Sequence, residues 1–302
     1  MTDIHYEIHD LLPYINWQYF FHAWGLPARF GSLTSGCSCV ACRQAQMGNG
    51  ADEAQRLYDD ARNLLSELDG RFQTHARILI CDAYAEGDDI KLLLPHHKAN
   101  QEQVTLPLLR QQQAAKDGFC HCLSDFILPK DVTVSEEKRM VFGRIGLFLT
   151  SVDEQMERQR CDDDYLHLLH QTLADRLAEA TAEKAHEEVR RNLWGYAPAE
   201  CMTQEELFRE AYQGIRPAVG YPSLPDQSFN FVLDEVLHFA EVGVRLTESG
   251  AMQPHASTSG LMIAHPMAHH FSIGTIDEEQ LADYAQRRGM DKNMLRRFLR
   301  MA

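Results

Sequence analysis

The chain has 302 residues, is 44% hydrophobic and carries a formal net charge of −15, enough apolar content for a sizeable core and a charge that excludes nonspecific nucleic-acid binding, which needs a basic footprint. No apolar run approaches the ~18 residues of a membrane span, and the start, MTDIHYEIHD, lacks the basic and apolar segments of a signal peptide; a cytoplasmic protein with no membrane partner is expected. Eight cysteines in such a chain read as reduced thiols.

In chain order, residues 14–24 read as an aromatic-rich helix and residues 31–50, GSLTSGCSCVACRQAQMGNG, as a Gly/Ser/Cys-rich loop. Ala54, Leu57, Ala61, Leu64 and Leu65 give residues 52–67 helical periodicity, with Asp52 as the expected cap. Two β-like runs follow at 77–84 and 90–94, joined by the turn chemistry of EGDD, and a further strand is expected at 141–149. Residues 162–192 read as one long helix with Tyr165, Leu168, Leu169, Leu173, Leu177 and Ala180 on an apolar stripe. A short helix at 203–213 opens on a capping box, Thr203 with Glu206. Beyond it come a helix at 229–240, strands near 258–264 and 270–276, and helices opening at Asp277 and Asp291, both natural caps. No repeat or Pro/Ser-rich linker divides the chain, and strands and helices do not alternate as βαβ units. The expectation is one α+β domain over residues 1–302, with a central, twisted, mainly antiparallel sheet flanked by helices.

Residues 205–225, EELFREAYQGIRPAVGYPSLP, carry the most chemistry. Pro217 and Pro222 push Arg216 and Tyr221 out of the α region, and Gly214 and Gly220 permit turns. Pro217, Pro222 and Pro225 have no N–H to give a sheet. A stiff, extended segment is expected, its carbonyls outside regular pairing, with a guanidinium at one end and a phenol at the other. Arginine grips carboxylates through two parallel N–H bonds, so the segment suits a carboxylate ligand; a structural loop with a surface arginine fits the residues equally well. Cys37, Cys39 and Cys42 form a C-x-C-x-x-C cluster, one ligand short of structural zinc. Cys120, His121 and Cys122 are the nearest residues of the right type, at poor spacing for chelation, so reduced thiols and no metal are expected. No nucleophile motif supports a Cys-His-Asp hydrolase.

The proline loop is one of several ordered strings. The others are PYINWQYFFHAWGL (13–26), DEAQRLYDDARNLL (52–65), LRQQ (109–112), GFCHCLSDFILPK (118–130), DDYLHLLHQTLADRLAEATAEKAHEEVRRNLWGYAP (163–198), LTESGAM (246–252), HPMAHHFSIG (265–274) and DYAQRRGM (283–290). Together they resemble the activation domain of cobalamin-dependent methionine synthase over nearly the whole chain; the cysteine-rich loop at about 31–50 lies outside that pattern and reads as an insertion. The resemblance implies a curved single domain around an antiparallel sheet that binds S-adenosylmethionine. It implies Arg216 on the ligand's carboxylate, with Ala218, Gly220 and Tyr221 of the same loop beside it. Asn16 stands where the family has an acid for the ligand's amino-acid end; an amide accepts a hydrogen bond from an ammonium but adds no charge. Glu179, on the long helix, is the substitute that the resemblance offers. His270 and Phe271 occupy the family's aromatic pair, whose first member is usually tyrosine. An aromatic face attracts a sulfonium, whereas a protonated histidine repels it. Asp175 matches an acid that meets the cobalamin module. Without the family, Asp175, Glu179 and Glu183 at i, i+4 and i+8 are a solvated acidic face, the HPMAHHFSIG run is core and sheet surface, and Trp17, Phe20, Phe21 and Trp24 are core.

The implied function is reductive remethylation of cob(II)alamin on a separate cobalamin-dependent methionine synthase that lacks its own activation domain. S-adenosylmethionine would give the methyl group, the cobalamin would be carried by the partner, and a flavodoxin-like protein would give the electron. Two other classes remain. One is an S-adenosylmethionine-binding regulatory module without methyl transfer, for which Asn16 and His270 speak; the other is a metal or redox protein acting through the cysteine loop.

Overall fold

The main sheet is built from β1 (Thr2–Glu7), β2 (Gln73–Glu86), β3 (Asp89–Leu93), β4 (Gln103–Pro107), β5 (Gly143–Val152) and β6 (Ser257–Met262). The structure is a computed structural model that describes residues 1–34, 50–94, 103–130, 133–134, 139–140, 143–159 and 163–300. The strand order is β6-β5-β2-β3-β4, with β1 also on β2, and each of these pairings is antiparallel. β2 carries the arrangement. One of its edges pairs with β5 from Thr74↔Val152 to Ala83↔Gly143. The other is shared end to end by β1, from Glu7↔Gln73 to Thr2↔Ile78, and by β3, from Asp82↔Leu93 to Glu86↔Asp89. Side chains alternate across a strand, and β2 is apolar on both faces: Ala76 and Ile78 enter one core, Leu79, Cys81 and Ala83 the other.

The first core lies under α1 (Trp17–Ala23), α2 (Ala51–Leu68) and α3 (Asp164–Glu188). The second lies under α5 (Phe229–Leu237), which follows the short α4 (Gln204–Phe208). α6 (Glu278–Arg288) and α7 (Lys292–Arg300) form a satellite cluster through Leu281, Tyr284 and Leu295. Trp17, Phe20 and Phe21 are buried in the first core, and Trp24 packs against it. α3 crosses β2, β5 and β6. Its buried Ala174, Ala178, Ala182 and Ala185 let helix and sheet approach closely, and the Thr150 hydroxyl donates to the Ala178 carbonyl at 3.2 Å.

Several local expectations are corrected. α2 is opened by Gly50 at φ +93, while Asp52 sits in the first turn; glycine enters this left-handed region without penalty. Tyr165 and Leu168 are exposed, unlike the buried Leu169, Leu173, Leu177 and Ala180. Tyr165 stands edge-on to the Trp24 ring at 5.4 Å, and its hydroxyl donates to Asp60. α3 gives way to a π turn, Val189–Leu193, before its expected end. α4 stops at Phe208 and not at 213, with Glu210 turning out at φ 54. Residues 270–276 are irregular, not a strand. β1 and β4 were not signalled: β1 is mostly exposed and β4 is short and ends on proline. Asp277 and Asp291 do cap α6 and α7, accepting the Gln280 and Asn293 N–H groups at 2.8 and 2.9 Å. Among the described residues no helix is long and apolar enough to cross a membrane. Cys37, Cys39 and Cys42 lie outside the described residues.

Candidate functional site

A cleft of about 740 Å³ opens on the α3 side of the sheet. Phe148 of β5 and Thr258 of β6 floor it. α3 supplies one wall through Arg176, Glu179, Ala182 and Glu183, and the proline loop supplies another through Arg216, Ala218, Tyr221 and Ser223. Tyr14, Asn16 and Tyr19, then Leu207, Phe208 and Glu210, then His270, Phe271 and Ser272 complete the rim.

The proline loop is not free of pairing, as the prolines alone suggest. It lies along the outer edge of β6. Ile215 and Ile263 exchange two backbone hydrogen bonds of 2.9 Å, the Pro217 carbonyl accepts the Leu261 N–H at 2.9 Å, and the Val219 N–H donates to Ser259 at 2.9 Å. Pro217 faces β6 with its carbonyl but has no N–H to return, so the pairing lacks one bond at that point, which is tolerated in a segment at the sheet edge. Ile215 and Val219 then join the second core, while Arg216 and Ala218 alternate to the cleft side. The approach needs glycine on β6: a Cβ on Gly260 would stand 2.2 Å from the Pro217 carbonyl oxygen and 2.8 Å from Ala218 Cα.

Arg216 does not wait alone for a ligand. Its Nη2 donates to Glu183 Oε2 at 2.9 Å, in a pair whose side chains are 15% and 13% exposed. Arg216 Nε and Glu183 Oε1 are buried without a hydrogen-bond partner in the protein. Burial pushes the Glu183 carboxyl above its usual range, against the pull of Arg216 and Arg190. The Tyr221 hydroxyl donates to Glu179 Oε1 at 3.1 Å; burial and the Glu179 charge push this phenol up to about 12. Arg176 Nη2 lies 4.0 Å from Glu179 Oε1. His270 Nε2 stands 3.6 Å from Glu210 Oε2, and burial holds the imidazole below its ordinary value despite that carboxylate. Phe271 packs at 5.7 Å on the His121 ring.

The structure thus brings Asn16, Glu179, Arg216, Ala218, Tyr221, His270 and Phe271 to one cleft. Asn16 also has a local task, its Oδ1 capping α1 by accepting the Gln18 N–H at 3.1 Å. Gly220 shapes the loop without lining the cleft: at φ +89 it makes a turn, its N–H on the Leu224 carbonyl at 2.9 Å. Asp175 is also off the cleft lining, 3.8 Å from His255 Nδ1. Cys120, His121 and Cys122 are engaged with separate neighbours. His121 holds Asp117 at 2.8 Å, the Cys122 thiol is pushed up to about 11 by burial, and among the described residues no group of three His, Cys, Asp or Glu could hold a metal.

Sequence reasoning missed Glu183 as the partner of Arg216, as well as Tyr14, Tyr19, Arg176 and Glu210 on the rim. For Glu183 a signal existed. Glu179, Glu183, His186 and Arg190 recur at i, i+4, i+7 and i+11, which is one face of a helix, and a face that mixes buried-type and charged residues is not simply solvated.

A family model described as "Vitamin B12 dependent methionine synthase, activation domain" matches residues 7–289. The crystal structure of the MetH reactivation domain bound to AdoHcy is similar throughout, with 35% sequence identity, a TM-score of 0.82, and a match covering 99% of this chain and 89% of that one. Sheet, α3 wall and proline loop all fall within the match, and the chain belongs to the vitamin B12-dependent methionine synthase activation domain family.

Proposed function

We propose that the protein binds S-adenosylmethionine in this cleft and supports reductive remethylation of cob(II)alamin carried by a cobalamin-dependent methionine synthase, with an electron from a flavodoxin-like donor. The observation that carries the reading is the half-satisfied Arg216–Glu183 pair. Its spare donor, Arg216 Nε, and spare acceptor, Glu183 Oε1, are both buried. A zwitterionic amino-acid end supplies what each lacks, a carboxylate for the guanidinium and an ammonium for the carboxylate. Unpaired buried polar groups are costly, so a ligand that pairs both is favoured over one bearing a single charge. Tyr221, His270 and Phe271 add ring faces suited to a sulfonium. The volume fits the range of small-molecule sites. The related reactivation domain binds AdoHcy, which shares the amino-acid and adenosine ends of S-adenosylmethionine.

Cobalt in the partner supplies the methyl acceptor. This chain's part is to bind, orient and desolvate: Arg216 and Glu183 fix one end of the methyl donor, and the rim rings hold its sulfonium out of water. Calorimetry with S-adenosylmethionine tests the reading. A hydrogen bond to a charged partner is worth ~1.5–3 kcal/mol, so Arg216→Ala should weaken binding by about one to two orders of magnitude. Equal affinity in parent and variant would remove Arg216 from the site.

A further inference from the structure

A second set of buried charges lies off the cleft lining. Arg190 has a fully buried side chain and Glu200 one that is 7% exposed. Arg190 Nε is 3.0 and 2.9 Å from the two Glu200 carboxylate oxygens, and its Nη2 donates to Oε1 at 2.7 Å. The same guanidinium lies over the Tyr212 ring, 3.9 Å from its centroid. Tyr212 stands edge-on to His186 at 5.0 Å and 87°. His186 is fully buried, with Nε2 3.4 Å from the Tyr196 hydroxyl. Tyr212 leads four residues later into Arg216; Arg190 follows Glu183 two helical turns along the same face of α3. The π turn Val189–Leu193 contains Arg190, and such turns recur at functional sites.

We propose that Arg190 and Glu200 are a positioning pair for the ligand cleft: they clamp Tyr212 and His186, and through them fix the strand that carries Arg216 and the helix face that carries Glu183. Stability alone does not account for the pair. A buried ion pair can often be exchanged for well-packed apolar residues at no loss of stability. What apolar residues cannot supply is a fixed positive charge behind Glu183. That carboxylate faces Arg216 and Arg190 as cations, Glu179 and Glu210 as anions, and Tyr212 as a neutral phenol. Burial favours its protonated form, and Arg190 opposes this together with Arg216, the arginine proposed to engage the ligand carboxylate. The pair therefore fixes where Glu183 sits and, through Arg190, opposes the pull of burial toward its protonated form. The inference rests on S-adenosylmethionine being the ligand of the cleft.

The test is the full chain with Arg190→Met and Glu200→Met combined, compared with the parent by thermal unfolding and by S-adenosylmethionine calorimetry from pH 5.5 to 8. The double variant should unfold cooperatively near the parent. Its Kd near pH 7.5 should rise by about tenfold, as when a binding constellation loosens, and the acid limb of its binding profile should move to higher pH. A merely structural pair would not move that limb. Arg190→Lys keeps the charge but loses the bidentate fork, so it should leave the acid limb in place while still weakening binding. If the double variant does not fold, Tyr212→Leu breaks the link while leaving the ion pair, and should weaken binding in the same way. Parent-like affinity and acid limb in the folded variant would overturn the inference alone. No binding by the parent would overturn the proposed function and this inference with it.

Discussion

Asn16 caps α1 with its side-chain oxygen and at the same time lines the cleft. Aspartate caps a helix as well as asparagine does, so Asn16→Asp keeps the local structure and adds a negative charge beside the proposed ammonium. Binding of S-adenosylmethionine should tighten by ~0.5–2 kcal/mol at a partly solvated position. Weaker binding in the calorimeter would show that the cleft is built around the amide. At this scale the proline loop was legible because proline restricts its predecessor, which singles out Arg216 and Tyr221 from sequence alone. Glu183 was not. Its carboxylate spacing from Glu179 is the same in a solvated face and in a cleft wall, and only the loop returning along β6 decides between them. Gly260 was equally silent, since a glycine in a strand does not announce which backbone will cross it.

Helix α3 shows what periodicity can and cannot deliver. Leu169, Leu173 and Leu177 were readable as a core stripe, but Tyr165 and Leu168 are exposed, and the π turn at Val189–Leu193, which contains the buried Arg190, left no mark in the periodicity. The 270–276 run alternates like a strand yet has no neighbour to pair with over its length; only Ile273 reaches a backbone partner, the Pro222 carbonyl. α3 also carries a pH-linked liability. Burial holds the His186 imidazole well below 6.5, with Arg190 and Arg216 adding repulsion. The unfolded chain takes up a proton there near ~6.5 and the folded one does not, so the stability contribution is intact above that pH and declines as pH falls below it. The decline approaches ~1.4 kcal/mol per pH unit for one group. His186→Phe keeps the ring volume and removes the titration. Urea unfolding at pH 7.5 and 5.5 should show the variant losing less stability than the parent over that interval. Equal losses would acquit His186.

At the scale of the molecule the α+β class and the antiparallel sheet followed from the absence of βαβ alternation, whereas β1 and β4 owe their strand state to β2 and β3 and carry little signal of their own. The proposed reaction places the methyl donor on this molecule and the cobalt on another. Asp175, on α3 but off the cleft lining, is the proposed contact for the cobalamin module. Mixing the protein with S-adenosylmethionine, a low-potential reductant and a cobalamin-carrying synthase module in the cob(II)alamin state should generate methylcobalamin, followed by absorbance. Asp175→Ala should slow that conversion without changing calorimetric affinity for S-adenosylmethionine; equal rates with and without the protein would refute the role. The pairing of the proline loop with β6 has a consequence of another kind. The β2–β3 turn closes over a few residues, but β5 must wait for Ser257–Met262, and the loop must then find β6. Loop-closure entropy grows with the chain enclosed, and the loop has an edge to pair with only once β6 has closed the long span back to β5, from Ser257↔Ser151 to Met262↔Gly146, so the binding wall rests on a contact distant in sequence. A ligand that recognises only the finished wall adds RT ln(1 + [L]/Kd) to them. Resistance of the 214–225 segment to proteases then becomes a gauge of how much methyl donor surrounds the molecule.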